Sequence, residues 1–257
     1  MKERIYLITR GDDTGNSRSA NQAVMQAYRE GILKNTSFMP VGQAAAHGAA
    51  LFAGTPGLCL GLHAVLNSEW EHEHYYPALP PSEVPSLVRE GGMFHPTPRL
   101  TREAGARVEQ IMAELRAQLA LARSMGLSPV YVDTHMVFEW IEEKLAGLLE
   151  EWCRQEGLVY YRRYNRRLPQ AAETGDAAER LLAALDAADP GLYTLVTHPC
   201  FDDEEVRRFT LPQLSGEEVA RARDEDRRML IDPRITQYMN QTGVIPIRYD
   251  EAARLFG

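Results

Sequence analysis

Ile5-Tyr6-Leu7-Ile8-Thr9-Arg10-Gly11-Asp12-Asp13-Thr14-Gly15-Asn16-Ser17 is the stretch on which the fold turns. Its first five residues are apolar and rich in β-branched side chains, the composition of a buried strand. Arg10 to Ser17 is dense in turn formers and reads as a loop. Ala20, Val24, Ala27 and Tyr28 then recur at helical spacing, which predicts a helix from about Ser19 to Arg29. The adjacent carboxylates Asp12 and Asp13 stand where strand gives way to loop.

The same unit recurs outward from this point. Strands are predicted over Asn35–Pro40, Gly57–Leu62, Pro129–Val132, Leu158–Tyr161, Leu192–Val196 and Val244–Ile247. Helices are predicted over Ala44–Phe52, Thr101–Met125, Glu142–Gln155, Ala177–Ala188 and Glu217–Ile231. Strands alternating with helices argue for a parallel sheet in an α/β fold. The expected architecture is a single-domain irregular (β/α) barrel over residues 1–257. One stretch breaks the rhythm: residues 67–100 are rich in Pro, Gly, His and aromatics and carry little periodicity. A long irregular insertion of this kind is usually functional or disordered, and Trp70, Tyr75, Tyr76 and Phe94 argue against full disorder.

Composition narrows the function classes. A net charge of −8 gives no broad cationic surface, so nucleic acid is not an expected partner. No stretch approaches the ~20 apolar residues of a membrane span, and Ile5–Ile8 is too short for a signal h-region. Cys59, Cys153 and Cys200 are far apart and form no C-x-x-C pair, which suits reduced thiols in the cytoplasm. There is no G-x-G-x-x-G or phosphate loop to support a nucleotide cofactor.

Chemistry-bearing residues coincide with strand ends. Asp12-Asp13, His63, Asp133-x-His135 and His198 each lie at or just after the C-terminal end of a predicted strand, the rim on which parallel α/β folds build active sites. Singly, each has a bland reading: Asp-Asp before Gly-Asn is ordinary turn composition, and His63 or His198 could be a satisfied strand-end histidine. Their conjunction points to a shared site with the equipment for amide hydrolysis. That equipment is an ion to polarise the carbonyl and activate water, with a carboxylate base and an imidazole acid. Asp133 could orient an imidazole from behind. His72 and His74 read as solvated or substrate-facing loop, and His47 as structural. Arg162, Arg163, Arg166 and Arg167 are either a solvated loop or a place for an anionic substituent. The helix bearing Glu217, Glu218, Arg221, Asp224, Arg227 and Arg228 reads as a salt-bridged surface face.

These residues also resemble the YdjC-like carbohydrate deacetylase family. Arg10-Gly11-Asp12-Asp13-Thr14-Gly15 resembles its opening Asn-Ala-Asp-Asp-Phe-Gly signature, and Gly61-Leu62-His63-x-x-Leu66 its Gly-Leu-His motif. Pro85–Val88 with Gly91–Phe94, Asp133-Thr134-His135, Thr197-His198-Pro199 and Leu230–Ile235 match further family segments in order. The resemblance implies an irregular (β/α) barrel, a homodimer, and removal of N-acetyl groups from sugars such as chitooligosaccharides or glycolipid head groups. It implies that Asp13, His63 and His135 hold one divalent ion, Mg2+ or Zn2+, with Asp12 as base and His198 as acid. The chain departs from the family pattern at Arg10, Thr14, Val137 and Cys200. Arg10 and Arg162 are the expected substrate-binding arginines. Two other readings stay open: a catalytically silent sugar-binding or regulatory protein, and a metal-dependent hydrolase of another amide or an ester.

Overall fold

A computed structural model describes residues 4–170 and 174–257. The strands are β1 (Ile5–Thr14), β2 (Asn35–Phe38), β3 (Cys59–Ala64), β4 (Tyr131–Thr134), β5 (Val159–Tyr160), β6 (Gly191–Thr197) and β7 (Ile245–Ile247). The helices are α1 (Arg18–Glu30), α2 (Ala45–Phe52), α3 (Pro98–Glu103), α4 (Val108–Ser124), α5 (Leu145–Glu156), α6 (Ala177–Asp186), α7 (Gly216–Leu230), α8 (Pro233–Thr242) and α9 (Tyr249–Phe256). All pairings within the sheet are parallel, in the order β5-β4-β3-β2-β1-β6. This is the α/β, irregular-barrel architecture expected from the alternation.

β1 is the hub. One edge pairs with β6 from Ile5↔Gly191 to Gly11↔Thr197. The other edge is divided: β7 pairs with its first half, from Tyr6↔Ile245 to Ile8↔Ile247, and β2 with its second, beginning at Arg10↔Asn35. Buried Asn35 staples the division. Its Nδ2 donates to the carbonyls of Thr9 (3.0 Å) and Ile247 (2.9 Å), and its Oδ1 accepts from the Tyr249 N–H at 2.9 Å. A buried amide satisfied three times fixes both neighbours of β1. Between β5 and β6 the wall is closed by irregular chain, where the Thr194 N–H donates to the Arg166 carbonyl at 2.7 Å. Leu7 and Ile8, adjacent on β1, pack into different apolar clusters, as the period of two requires.

Several boundaries differ from the sequence expectation. β1 continues through Thr14, where a loop from Arg10 is predicted, because β2 offers its carbonyl end a partner. The helix predicted over Thr101–Met125 is two helices, α3 and α4, broken at Gly105 with φ +76°. α8 has no predicted counterpart; Asp232 caps it and Pro233 opens it. Residues 67–97 contain no helix or strand, yet Trp70, Tyr75, Val84, Leu87 and Phe94 are buried in the core. The segment is a packed irregular cap, not a tail. Among the described residues no helix is long and apolar enough to cross a membrane, and all three cysteines are buried and unpaired.

Candidate active site

In a regular strand Asp12 and Asp13 would point to opposite faces. Asp13 instead adopts φ +64°, and the β1–β2 register shifts between Gly11 and Thr14. Aspartate is among the residues that tolerate this left-handed conformation. The kink lets both carboxylates serve the carboxyl end of the sheet. Two residues on, Gly15 is obligatory: a Cβ there would meet the Met39 carbonyl oxygen at 2.4 Å.

Asp13 Oδ1, His63 Nε2 and His135 Nδ1 converge. The carboxylate oxygen is 3.4 Å from the His63 nitrogen and 3.3 Å from the His135 nitrogen, and the two nitrogens are 3.3 Å apart. The far nitrogen of each imidazole faces a carboxylate: His63 Nδ1 lies 3.1 Å from Asp133 Oδ1, and His135 Nε2 lies 3.0 and 3.1 Å from the two oxygens of Glu69. An imidazole that donates its far N–H to a carboxylate turns a lone pair inward. Asp13 Oδ2 accepts from Arg223 Nη2 at 2.8 Å, whereas buried Oδ1 has no hydrogen-bond partner. Three candidate ligand atoms thus meet in a buried pocket that calls for positive charge, supplied by imidazole protons in the metal-free protein and by a metal ion that would displace them. The electrostatics agree. Burial pushes both imidazoles down, but the carboxylates outweigh it. They lift His63 to about 9, chiefly through Asp133 and Asp13, and His135 to about 10, through Glu69 and Asp13. Burial pushes Asp13 up, and Arg223 with the two histidines outweighs it, holding the carboxylate well below its usual range.

Asp12, His63 and Asp133 form a second cluster that already contains its cation. Arg10 is buried and grips Asp12 with two contacts, Nε to Oδ1 at 2.7 Å and Nη2 to Oδ2 at 2.8 Å. Its Nη1 lies 3.2 Å from Asp133 Oδ2 and donates to the Tyr249 hydroxyl at 3.0 Å. Ser37 Oγ also donates to Asp133 Oδ2, at 2.9 Å. A guanidinium satisfied by carboxylates on both sides is the arrangement in which a buried arginine is tolerated.

The other predicted residues are placed as follows. His198 directly follows β6, one residue beyond Thr197, as Asp12 is one residue beyond its partner Gly11. It is half-buried, its backbone N–H donates to Asp226 Oδ2 at 2.8 Å, and it joins neither acid–histidine cluster. Arg162 is exposed on the turn Tyr161–Tyr164, beside Tyr160 and Glu139. His47 faces Asn21 at 3.1 Å. A cavity of about 780 Å³ is lined by Trp70, His72, His74, Arg89 and Met136 among others, and reaches the triad through Glu69, which also lines it and faces His135.

Sequence reasoning missed Glu69 and Arg223. Glu69 stands in the aperiodic insertion, and its one signal is a carboxylate six residues past His63. Arg223 lies on α7, read as a surface face. Part of that helix turns inward instead, since Asp224 is buried and Asp226 accepts the His198 N–H.

Comparison with known proteins gives a consistent result. The family model described as YdjC-like protein matches residues 6–241. The carbohydrate deacetylase of Geobacillus stearothermophilus is 29% identical over 97% of this chain and 99% of its own length. The chitooligosaccharide deacetylase of Serratia marcescens is 31% identical, covering 73% of this chain and 69% of its own. Among solved structures, an Enterococcus faecalis protein described as a candidate cellobiose-phosphate cleavage protein superposes with a TM-score of 0.81. It shares 20% identity and covers 96% of this chain and 98% of its own, which establishes a shared fold.

Proposed function

The chain belongs to the YdjC-like family, and from that membership and the converging triad we propose a metal-dependent hydrolase that removes N-acetyl groups from small amino sugars or oligosaccharides. The observation that carries this is the buried Asp13 Oδ1, without a hydrogen-bond partner, facing the inner nitrogens of His63 and His135. Asp13, His63 and His135 would hold a divalent ion, which supplies a Lewis acid for the amide carbonyl and for water. The donor set favours zinc over magnesium. Zinc takes imidazole nitrogen as readily as carboxylate oxygen, whereas magnesium prefers oxygen ligands and retains water. Two nitrogen donors point the same way.

Asp12 is the base that takes a proton from the attacking water, and Arg10 fixes its plane while leaving unused lone pairs on each oxygen. His198 is the acid that protonates the departing amine. The substrate occupies the cavity beside Glu69, and Arg162, exposed, meets an anionic substituent where the sugar carries one. Arg10 has its donors committed within the site, so its part in binding is indirect. A homodimer and a cytoplasmic location belong to the same reading, the latter supported by three unpaired buried thiols. The grip of Arg10 on Asp12 favours a second reading, a silent sugar-binding protein. A two-metal phosphoesterase is disfavoured because the Arg10 cation fills the second cluster.

Acetate release from a panel of N-acetyl sugars, after chelation and add-back of zinc, magnesium, manganese or cobalt, separates these readings. The hydrolase reading expects metal-restored release that falls by about 100-fold or more in Asp12→Asn. Stoichiometric metal binding without release from any sugar would leave the silent protein.

A further inference from the structure

Tyr75 lies in the irregular cap and is fully buried, with its backbone fixed by Ser68 Oγ (2.9 Å, to its N–H) and by the Phe94 N–H (3.0 Å, to its carbonyl). Its ring stands edge-on to His135, with centroids 6.0 Å apart at 89°. Its hydroxyl has no hydrogen-bond partner. Burying an unsatisfied hydroxyl is destabilising, and phenylalanine in the same place would avoid that cost. The Trp70 indole neighbours this hydroxyl, and its Nε1–H is also without a hydrogen-bond partner. Arg223, which holds Asp13, packs over the Trp70 ring at 5.5 Å. An orphan hydroxyl therefore belongs to a ring packed against His135 of the triad, and Tyr75 is buried as deeply as the triad itself.

We propose that Tyr75 is a catalytic residue whose hydroxyl donates to the carbonyl oxygen of the scissile N-acyl amide. The proposal rests on the hydrolase reading above. Water adds to the carbonyl carbon, losing a proton to the base, and the C=O π pair passes to oxygen. There the Tyr75 O–H meets a growing negative charge, the situation in which a fixed donor contributes most. Collapse returns the pair, breaks the C–N bond, and leaves acetate and a protonated amine. Tyr75 keeps its proton throughout. Burial pushes its phenol well above the usual range, and Glu69 and Asp13 push it further, so it stays a donor.

The test is Tyr75→Phe, which removes one oxygen and keeps the ring. On the zinc-loaded protein, kcat for acetate release is expected to fall about 100-fold or more, with KM within about threefold. Zinc affinity should be unchanged and the melting temperature equal or slightly higher, because an unsatisfied group is removed. Binding of acetate itself, followed calorimetrically, is expected to weaken about fivefold or more. Unchanged kcat overturns the proposal, and so does a melting temperature lowered by several degrees together with weaker zinc binding, which would make the hydroxyl structural. If the wild-type protein releases acetate from no N-acetyl sugar, the hydrolase reading fails. The acetate titration then decides for the Tyr75 contact alone: equal affinities, or no acetate binding by the wild type, overturn it, and selective weakening in Tyr75→Phe upholds the hydroxyl as a donor to an acyl oxygen in a protein that does not hydrolyse these amides.

Discussion

The two imidazoles of the triad are braced in opposite ways. His63 and its carboxylate Asp133 are direct partners across β3 and β4, so the contact is a consequence of parallel register. Asp133 is further fixed by Arg10 and Ser37. His135 and its carboxylate Glu69 belong to no strand. Glu69 comes from the irregular cap, and His135 opens a 3-10 turn, His135–Ile141, whose next two residues, Met136 and Val137, hold φ of +58° and +49°. One half of the site is written into the sheet, and the other depends on chain held by local packing. A ligand braced by the sheet should therefore be coupled to folding, and one braced by the cap to metal affinity alone.

Removing each brace breaks or sharpens this contrast most directly. Asp133→Ala strips a buried carboxylate from both Arg10 and His63 and should cost about 3–5 kcal/mol of stability, enough to lower the melting temperature sharply even without metal. Glu69→Ala leaves the sheet intact. It should lower zinc affinity about 10–100-fold and leave the metal-free melting temperature within a few degrees. Glu69→Gln, whose amide oxygen still accepts from the His135 N–H, should recover part of the affinity. Calorimetric zinc titrations and thermal melts of the three variants decide it. Similar stability losses for Asp133→Ala and Glu69→Ala would erase the distinction.

The effect of pH on the metal-free protein is next in size. Both histidines are raised above the ordinary 6.5, His63 to about 9 and His135 to about 10. A group raised on folding stabilises fully below its unfolded value and loses that contribution as pH climbs through the folded one. The metal-free protein should therefore weaken between about pH 7 and pH 10. Zinc must displace these protons, so its affinity should rise across the same interval. Melts with and without zinc should diverge as pH increases; a gap that narrows would mean that the imidazoles are neutral in the metal-free protein.

The same division explains what could be read from sequence. Strand ends are legible because apolar β-branched runs stop where Asp12, His63, Asp133 and His198 stand, and parallel sheets carry their strand ends to one rim. Register then brings His63 to Asp133 without further information. Glu69 was not legible because residues 67–97 have no period to place a side chain on. Burial of Arg10 was not legible either. An arginine is admitted to an interior only when its partners are known, and these come from β1, β4 and the first turn of α9, up to 239 positions apart. Arg223 was hidden for the converse reason, since a helix as rich in charge as α7 looks the same whether its cations face water or a buried carboxylate.

The smallest effect tests the strain on the cap side. Val137 is half-exposed, β-branched and left-handed, a conformation that costs roughly 1–3 kcal/mol unless the surroundings impose it. Glu139, two residues on, is the anchor that imposes it: buried, it accepts from Thr134 Oγ1 at 2.9 Å, the Tyr161 hydroxyl at 2.8 Å and the Tyr160 hydroxyl at 3.2 Å. Val137→Gly keeps the conformation and removes the steric penalty. It should raise the melting temperature by a few degrees, about 1 kcal/mol, with zinc affinity unchanged if Glu69 and Glu139 suffice to position His135. Weaker zinc binding in a more stable protein would show instead that stiffness at Val137 helps to aim the imidazole. The strain would then belong to the metal site, and the cap half of the centre would depend on Val137 as well as on Glu69 and Glu139.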